Sequence, residues 1–255
     1  MATAKDILIK PINAKAANSL IKRIHYSGTH TQNSQLHLGA FLNGRLEGAM
    51  QFGPPIDRRK ILPLVKNTKW NNMIELNRMA FSEVLPRNSE SRAMAVAFRL
   101  IKKNYPHIEW VISFSDACQS GDGTIYRASG FVLTGIKKNR TMLLMPDGTI
   151  KADKTLNDNL VKKSGWWKKN GAKALEGYQL RYIYFINSEA RNRLTVPILP
   201  FSKIDEIGAG MYKGVKRSIK PFPERVESVD SDTLAVHARD GGAIPTSTLQ
   251  GATHG

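Results

Sequence analysis

The N-terminal part of the chain combines a short apolar run with an amphipathic stretch. Residues 6–9 are typical of a short strand. Asn13 follows and can cap a helix that runs to about Ile24. One face of this helix would carry apolar side chains at three- and four-residue spacing, at Ala17, Leu20, Ile21 and Ile24. The pattern predicts a strand and then a helix, with His25 and Tyr26 at the C-terminal end of the helix.

Two apolar runs then flank a turn signal. Residues 36–42 and 46–52 lie on either side of Asn43-Gly44. Asn-Gly is strongly favoured in two-residue β-hairpin turns, because both positions need a positive φ. The pattern predicts two adjacent antiparallel strands, and residues 73–81 indicate a further strand after them.

The remaining pattern alternates helices and strands. A helix is expected from about Ser91 to Asn104, and the apolar face of this helix comprises Met94, Ala97, Phe98 and Ile101. Residues 110–115 indicate a buried strand, and residues 179–186 a late one. An antiparallel first half followed by strand–helix–strand crossovers predicts an α/β fold. We expect a mixed, mostly antiparallel twisted sheet with helices on both faces.

Charge narrows the class of partner. The 255 residues carry 38 Lys and Arg against 21 Asp and Glu, a formal net charge of +17. Such an excess favours a polyanionic partner, and DNA or RNA is the first candidate. The chain lacks a long apolar run and an apolar signal segment, so we expect no membrane partner and a cytoplasmic location. Cys118 is the only cysteine, and neither a disulfide nor a disulfide-linked partner is expected.

The charge is also unevenly distributed. Residues 137–220 hold 18 basic and 7 acidic side chains. Aromatic residues alternate with basic ones there, at Trp166, Trp167, Lys168, Lys169, Tyr178, Arg181, Tyr182 and Tyr184. These rings could stack on exposed bases or fill a core, and both alternatives stay open. We predict a catalytic core at 1–136, a basic extension at 137–220 that completes the sheet and contacts DNA, and a disordered tail at 221–255.

One segment indicates chemistry. In residues 112–135 a buried strand leads through a polar, Gly-rich turn into a short helix and a second strand. Asp116 leaves the first strand and Tyr126 lies on the helix, which can hold two proton-transfer groups over one substrate. The structural alternative is an ordinary strand-to-helix connection with Tyr126 in the core.

The order of elements resembles that of the GNAT acyltransferases, which bind coenzyme A where the central strand passes into the following helix. The matching loop here contains Arg87, Asn88, Ser89, Glu90, Ser91 and Arg92. Backbone N–H groups at a helix N-terminus bind phosphate oxygens, and arginines add charge. The resemblance therefore implies a pyrophosphate site that uses Arg87, Asn88, Ser89, Ser91 and Arg92. This loop departs from the family pattern because it has no glycine and includes Glu90.

A closer resemblance is to the Mom family of phage DNA-modification proteins, a divergent GNAT branch. It covers roughly residues 8–203. The shared motifs are His25-Tyr26-Ser27-Gly28, the hairpin at 39–53, Glu75-Leu76-Asn77-Arg78, the segment from Ser115-Asp116 to Gly123-Thr124-Ile125-Tyr126, Tyr182-Ile183-Tyr184-Phe185 and Pro197-Ile198-Leu199-Pro200. Several motifs in a fixed order are more specific than any one of them.

The resemblance implies an activity and a set of partners. The N6 amine of adenine in DNA would be converted to the methylcarbamoyl form, which blocks restriction enzymes in a phage-infected bacterium. Acetyl-CoA would be the donor, bound iron is a further candidate cofactor, and a homodimer is a candidate assembly. The catalytic residues would be His25, Tyr26, Arg78, Asp116 and Tyr126.

Each of these residues has a candidate chemical role, and four of them have a structural alternative. Asp116 or His25 could accept the proton of the amine, and Tyr126 could protonate a leaving thiolate. Arg78 could hold the acyl oxygen or a phosphate, and Tyr26 could stack on the base or donate a hydrogen bond. The structural alternatives are a turn cap for Asp116, a helix cap for His25, a core aromatic for Tyr126, and an ion pair with Glu75 or Glu83 for Arg78. His25 and Asp116 could bind iron, but the sequence identifies no third ligand for such a site.

Two other function classes remain open at this point. A conventional CoA-dependent N-acetyltransferase would act on a protein or a small amine and would need no DNA. A basic protein that kept the fold but lost the chemistry would bind DNA in a salt-dependent manner without changing a base.

Overall fold

A seven-stranded sheet forms the centre of the molecule. The computed structural model describes residues 2–152 and 169–217. The strands of this sheet are β1 (Leu8–Pro11), β2 (Leu36–Leu42), β3 (Arg45–Gly53), β4 (Met73–Phe81), β5 (Trp110–Asp116), β6 (Val132–Lys138) and β10 (Tyr178–Phe185). Their order across the sheet is β1-β2-β3-β4-β5-β10-β6. The β1 strand begins later than the sequence predicts, because Asp6 belongs to a short 3-10 turn that Thr3 caps.

Most neighbouring strands in the sheet are antiparallel. Only β4 and β5 pair in parallel, with α3 (Ser89–Asn104) as the connection between them. The late strand β10 lies between β5 and β6 and is antiparallel to both. The predicted fold class, a mixed and mostly antiparallel sheet, is therefore confirmed.

Helices cover both faces of the sheet. The apolar side of α1 (Ala14–Ile24) packs through Leu20 and Ile21 against Ala49 and Ala80. Residues of α3, among them Met94 and Phe98, pack in the main core on the other side of the sheet. Adjacent residues of one strand point to opposite faces, which explains why Ala49 and Met50 belong to different clusters. Both predicted amphipathic helices are present, and α3 begins at Ser89.

The hairpin between β2 and β3 has the predicted turn. Asn43 and Gly44 have φ values of 50° and 78°. Both residues therefore occupy the left-handed region that a two-residue hairpin turn with the strand twist requires. The pairing of Leu42 with Arg45 closes the turn.

Several short elements were not predicted. They are α2 (Arg58–Ile61), α5 (Ser202–Glu206), β7 (Met142–Leu144), β8 (Ile150–Ala152), β9 (Lys173–Ala174), β11 (Met211–Tyr212) and β12 (Val215–Lys216). The short helix α4 (Thr124–Ala128) is the helix that the sequence predicts around Tyr126. Strands β7, β8 and β9 form a second sheet, and β11 and β12 form a hairpin. In the parts of the chain that the structure describes, no helix is long and apolar enough to span a bilayer.

The positions of the tyrosines in the basic region show whether these rings are exposed for stacking on bases or fill a core. Tyr182 is fully buried, and Tyr178 and Tyr184 pack against the main core. Arg181 donates hydrogen bonds to the hydroxyl and carbonyl oxygens of Thr134. These tyrosines are core residues and do not form a surface for stacking on bases. Trp166, Trp167, Lys168 and the predicted tail lie outside the described residues.

Candidate active site

The candidate site lies where the two parallel strands separate. Strands β4 and β5 pair only through the three residues Met73–Glu75 and 110–112. Beyond this point, Leu76 to Met79 of β4 and Phe114 to Asp116 of β5 line a cavity of about 360 Å³. The loop after β5 and the start of α4 form another wall. Volumes of this order are usual for small-molecule sites.

All five predicted catalytic residues line this one cavity. They are His25, Tyr26, Arg78, Asp116 and Tyr126. His25 caps the C-terminus of α1, so the helix end, β4, β5 and α4 each contribute to the site. The structure thus brings together residues that are up to 101 positions apart in the sequence, from His25 to Tyr126.

Asp116 is buried and stabilises the turn that follows β5. Its carboxylate accepts hydrogen bonds from the backbone N–H of Cys118 at 3.0 Å and from the side-chain amides of Gln119 at 2.8 Å and Gln179 at 3.2 Å. A carboxylate offers about four lone-pair positions, so these three donors leave one. Asp116 can therefore cap the turn and still accept one further proton or hydrogen bond.

Tyr126 is a buried aromatic residue with a positioned hydroxyl. Its oxygen lies 2.8 Å from the hydroxyl of Ser113, which also lies 3.2 Å from the carbonyl oxygen of Leu76. The ring packs against Tyr182, with ring centroids 5.0 Å apart. Burial is the main cause that raises the pKa of Tyr126 above its ordinary value. The hydroxyl therefore stays protonated near neutral pH and can act as a proton donor.

His25 is held in its neutral form. The backbone N–H of Ser27 points at Nδ1 from 3.2 Å, and the hydroxyl of Ser27 lies 2.8 Å from the same atom. Because Nδ1 accepts the N–H, the ring proton of neutral His25 lies on Nε2. Desolvation, and then the charge of Arg78, lowers the pKa of His25 to about 4. His25 is thus a neutral hydrogen-bond donor at neutral pH.

Tyr26 lies beside His25 in the cavity. The Tyr26 and His25 rings contact each other, with centroids 4.3 Å apart. Desolvation raises the pKa of Tyr26 to about 12, the negative charge of Asp116 adds to the rise, and a hydrogen bond with Ser120 opposes it. The desolvated part is the hydroxyl end, whereas more than half of the residue as a whole is exposed, so its ring is open to a ligand.

Arg78 is half-buried and projects from β4. Its Nη1 donates to the carbonyl oxygen of Asn77 at 2.9 Å, and its Nε to that of Thr29 at 3.4 Å. Glu83, one of the two expected ion-pair partners, pairs with Lys213 instead. These contacts orient the guanidinium, and Nη2 can still donate to a ligand.

The predicted pyrophosphate loop borders the cavity but contributes only Glu90 to its lining. Asn88 has a φ of 70° and makes no side-chain cap, which leaves N–H groups of the first turn of α3 available to an anion. The hydroxyls of Ser89 and Ser91 donate to the carbonyl oxygens of Pro86 and Asn88, and Arg92 lies 3.5 Å from that of Lys5. Arg87 is exposed. The backbone N–H of Ser89 also donates to the carbonyl oxygen of Pro86. The roles predicted for these five residues stay predictions.

Several residues that line the cavity were not predicted as site residues from the sequence. Ser115 is buried at 8% exposure, and its hydroxyl lies near that of Tyr182 but makes no hydrogen bond of ordinary geometry within residues 2–152 and 169–217. Asp122 lies almost fully buried beside the cavity and forms an ion pair with Arg217. Met211, Tyr212 and Lys213 also line the cavity. Sequence signals for these residues are weak, since Asp122 sits between two glycines as in an ordinary turn.

The residues do not fit the candidate iron site. Three N–H donors leave the carboxylate of Asp116 one free position, and Ser27 engages Nδ1 of His25, so this pair offers a metal ion at most one carboxylate position and Nε2. Within residues 2–152 and 169–217, no group of three or more His, Cys, Asp and Glu side chains could hold a metal ion. The third ligand that the sequence left unidentified is also missing from the described residues.

The arrangement suits the transfer of an acyl group to an amine. Tyr126 and His25 can donate a proton or a hydrogen bond, and Asp116 can accept a proton. Arg78 adds positive charge where an oxygen would become negative. The hydroxyl of Ser115, which makes no hydrogen bond of ordinary geometry among the described residues, can bind a polar atom of a ligand.

Comparison with known proteins gives two sequence matches. The model of the Mom protein family matches residues 6–203. A protein of Escherichia phage Mu named methylcarbamoylase mom is 34% identical to this chain over 201 residues. The matched part covers 76% of this chain and 82% of the phage protein.

Two solved structures of acetyltransferases are among those with a similar arrangement. A GNAT-family acetyltransferase from Streptococcus pneumoniae is 13% identical and has a TM-score of 0.42, and the match covers 71% of this chain and 99% of that protein. A GNAT-family acetyltransferase from Elizabethkingia anophelis with acetyl-CoA bound is 13% identical and has a TM-score of 0.36, with coverage of 71% and 98%.

Proposed function

Because the chain belongs to the Mom protein family, we propose that it is an enzyme that converts the N6 amine of adenine in DNA to the N6-methylcarbamoyl form. The observation that carries this proposal is the single cavity between β4 and β5, which gathers His25, Tyr26, Arg78, Asp116 and Tyr126. The phage relative is named a methylcarbamoylase, which supports the same chemistry.

An acyl-CoA donor is consistent with the shape of this cavity. Such a donor supplies an activated acyl carbon and a thiolate leaving group, so that the bond from N6 to carbon forms as the bond from carbon to sulfur breaks. Transfer of an acetyl group alone would give N6-acetyladenine, and the nitrogen of the methylcarbamoyl group therefore comes from a further, nitrogen-containing co-reactant. The separation of β4 from β5 after Glu75 leaves peptide groups of β4 beside the cavity, where they can bind the amides of an extended donor. The uncapped N-terminus of α3 can bind phosphate, and the buried hydroxyl of Ser115 can bind the acyl oxygen.

The residues of the chain divide the proton chemistry between them. The N6 amine of adenine is a weak nucleophile, because its lone pair is delocalised into the ring, so close positioning and a base are needed. Asp116 has one unused lone-pair position and accepts the proton of the amine. Tyr126 stays protonated and donates to the leaving sulfur. His25 and Arg78 donate hydrogen bonds to the oxygen that gains negative charge.

DNA is the proposed macromolecular substrate. In a duplex the N6 amine is paired, so the adenine must leave the base stack to enter the cavity. We assign the contacts with the phosphate backbone chiefly to residues 137–220, which contain 18 basic and only 7 acidic side chains. Modification removes a hydrogen-bond donor that proteins read in the major groove, which would protect phage DNA from restriction enzymes.

Mass spectrometry of nucleosides tests this function. Plasmid DNA is isolated from cells that express the chain, digested, and compared with DNA from cells that express an Asp116→Ala variant. We expect N6-methylcarbamoyl deoxyadenosine only with the wild-type protein. Unmodified deoxyadenosine alone, from cells with folded wild-type protein, would overturn the proposal. Acetylation of a protein or small amine in the same cells would then favour a conventional N-acetyltransferase.

A further inference from the structure

A short hairpin closes one side of the cavity. Strands β11 and β12 form it, and the three residues Met211, Tyr212 and Lys213 line the cavity. This hairpin lies beyond residues 6–203, the part of the chain that the family model matches. It is therefore a feature of the site that family membership does not explain.

Asp122 anchors the hairpin to the loop after β5. Its carboxylate accepts from the backbone N–H and hydroxyl of Thr124, from the backbone N–H of Met211 at 3.3 Å, and from Arg217. The backbone N–H of Asp122 donates to the carbonyl oxygen of Met211 at 2.9 Å. Only 3% of the Asp122 side chain is exposed, so solvent screens these contacts weakly.

Two more contacts fix the tip and the end of the hairpin. The backbone N–H of Gly214 donates to the carbonyl oxygen of Ser120 at 2.7 Å. Arg217 also pairs with Asp205 of α5 at 2.9 Å. The hairpin is thus held by the same loop, residues 120–124, that lines the cavity.

The side chain that this hairpin presents is an exposed aromatic ring. Tyr212 is 57% exposed although its neighbour Met211 is buried. In residues 2–152 and 169–217, no other aromatic ring packs on Tyr212. Lys213 is next to it and pairs with Glu83 at 3.1 Å, but both side chains are largely exposed and such pairs exchange readily for a phosphate.

We propose that Tyr212 is a stacking platform for an adenine ring in the cavity. A flat ring on a fixed backbone loses little entropy when it stacks, and Lys213 lies next to it where a phosphate of the same nucleotide could bind. The inference rests on the proposed function, under which the adenine ring could belong to either of two ligands. One is the target adenine of DNA, and the other is the adenine of the acyl-CoA donor.

The test compares ligands with and without the ring. The DNA probes are a thymidine oligonucleotide with one central 2-aminopurine and the same strand with an abasic site. The donor probes are coenzyme A and 4′-phosphopantetheine, which lacks the adenosine. Affinities are measured for the wild type, Tyr212→Phe and Tyr212→Ala. Tyr105→Ala is the matched control, because Tyr105 is also exposed but does not line this cavity.

We expect Tyr212→Ala to weaken binding of one ring-bearing probe by about 5- to 150-fold and to leave the matching ringless probe unchanged. Tyr212→Phe and Tyr105→Ala should bind like the wild type. If affinity is lost only for the 2-aminopurine strand, and the fluorescence of that strand is quenched less, the platform binds the DNA base. Loss confined to coenzyme A assigns it to the donor.

Equal affinities of the wild type and Tyr212→Ala for both ring-bearing probes would overturn the inference. So would an equal loss for probes with and without the ring, because that pattern indicates a general structural effect. If the wild type still modifies plasmid adenine in either case, the inference fails and the proposed function stands.

Discussion

At the scale of single residues, neighbouring atoms decide what an ionisable side chain can do. The sequence presents His25 as a candidate base or a helix cap. In the structure it is the C-cap of α1, and the backbone N–H of Ser27 occupies Nδ1. The turn that places this N–H spans only two residues, and no pattern in the sequence predicts its geometry. The role of His25 therefore changes from proton acceptor to hydrogen-bond donor.

This assignment predicts how stability depends on pH. The pKa of His25 is lowered from 6.5 to about 4 in the folded protein, so unfolded His25 takes up a proton between these values while folded His25 does not. The free energy of unfolding should therefore fall as the pH drops from 6.5 towards 4. Urea denaturation at several pH values should show a steeper fall for the wild type than for His25→Asn. Identical pH dependence in both proteins would contradict the assignment.

The hydroxyl of Tyr126 provides a second test at this scale. Tyr126→Phe keeps the buried ring and removes the proposed proton donor beside Ser113. We expect modified adenine to accumulate about 100- to 10,000-fold more slowly, the usual contribution of a positioned acid. Tyr184→Phe is the control, because Tyr184 stacks on Phe98 and does not line the cavity. A wild-type rate for Tyr126→Phe would exclude it as the donor.

At the scale of elements, the long periodic segments were predictable and the short ones were not. The bounds of β2 and β4 match the sequence prediction, because alternating or continuous apolar runs end there at turn signals. The position of β10 between β5 and β6 is a long-range pairing that local pattern does not contain. The hairpin of β11 and β12 has two residues in each strand, too few for any periodicity.

The connection from β5 to α4 depends on one glycine. Gly123 has a φ of 82°, and a Cβ atom there would lie 2.6 Å from the Tyr182 ring and 2.9 Å from the Tyr126 ring. We expect Gly123→Ala to lower the free energy of unfolding by about 2–5 kcal/mol, from backbone strain together with overpacking. Gly148→Ala is the control, because Gly148 has a φ of 79° but no atom within 4 Å of the added Cβ.

For Gly148→Ala, strain alone should cost about 1–2 kcal/mol. Urea denaturation of both variants measures the difference. Equal costs for the two substitutions would show that the two tyrosine rings do not restrict this position.

At the scale of the whole molecule, the sequence predicted the fold class and the grouping of the catalytic candidates. Motifs far apart in the chain meet because the sheet topology places the end of α1, β4, β5 and α4 around one cavity. The sequence could not show whether aromatic residues near basic ones face a partner or the core. Tyr182 is buried because it lies on the central strand β10, whose neighbours on both sides only the folded sheet reveals.

The formal charge of +17 predicts salt-dependent DNA binding, with the basic extension as the main contact. Lys137 and Lys138 are exposed in β6, as are Lys102 and Lys103 at the end of α3. Replacing Lys137 and Lys138 with alanine should make the negative slope of log affinity against log salt shallower by about 0.9 for each lost phosphate contact. The Lys102 and Lys103 double variant should keep the wild-type slope. An unchanged slope in the first variant would place the DNA contacts elsewhere.

The most direct test of the central claim is nucleoside mass spectrometry combined with site variants. Plasmid DNA from cells that express the wild type should contain N6-methylcarbamoyl deoxyadenosine. DNA from cells with Asp116→Ala or Tyr126→Ala should contain only deoxyadenosine, while each purified variant still binds DNA. Only unmodified deoxyadenosine with the folded wild type, or full modification with both variants, would contradict an adenine-modifying site between β4 and β5.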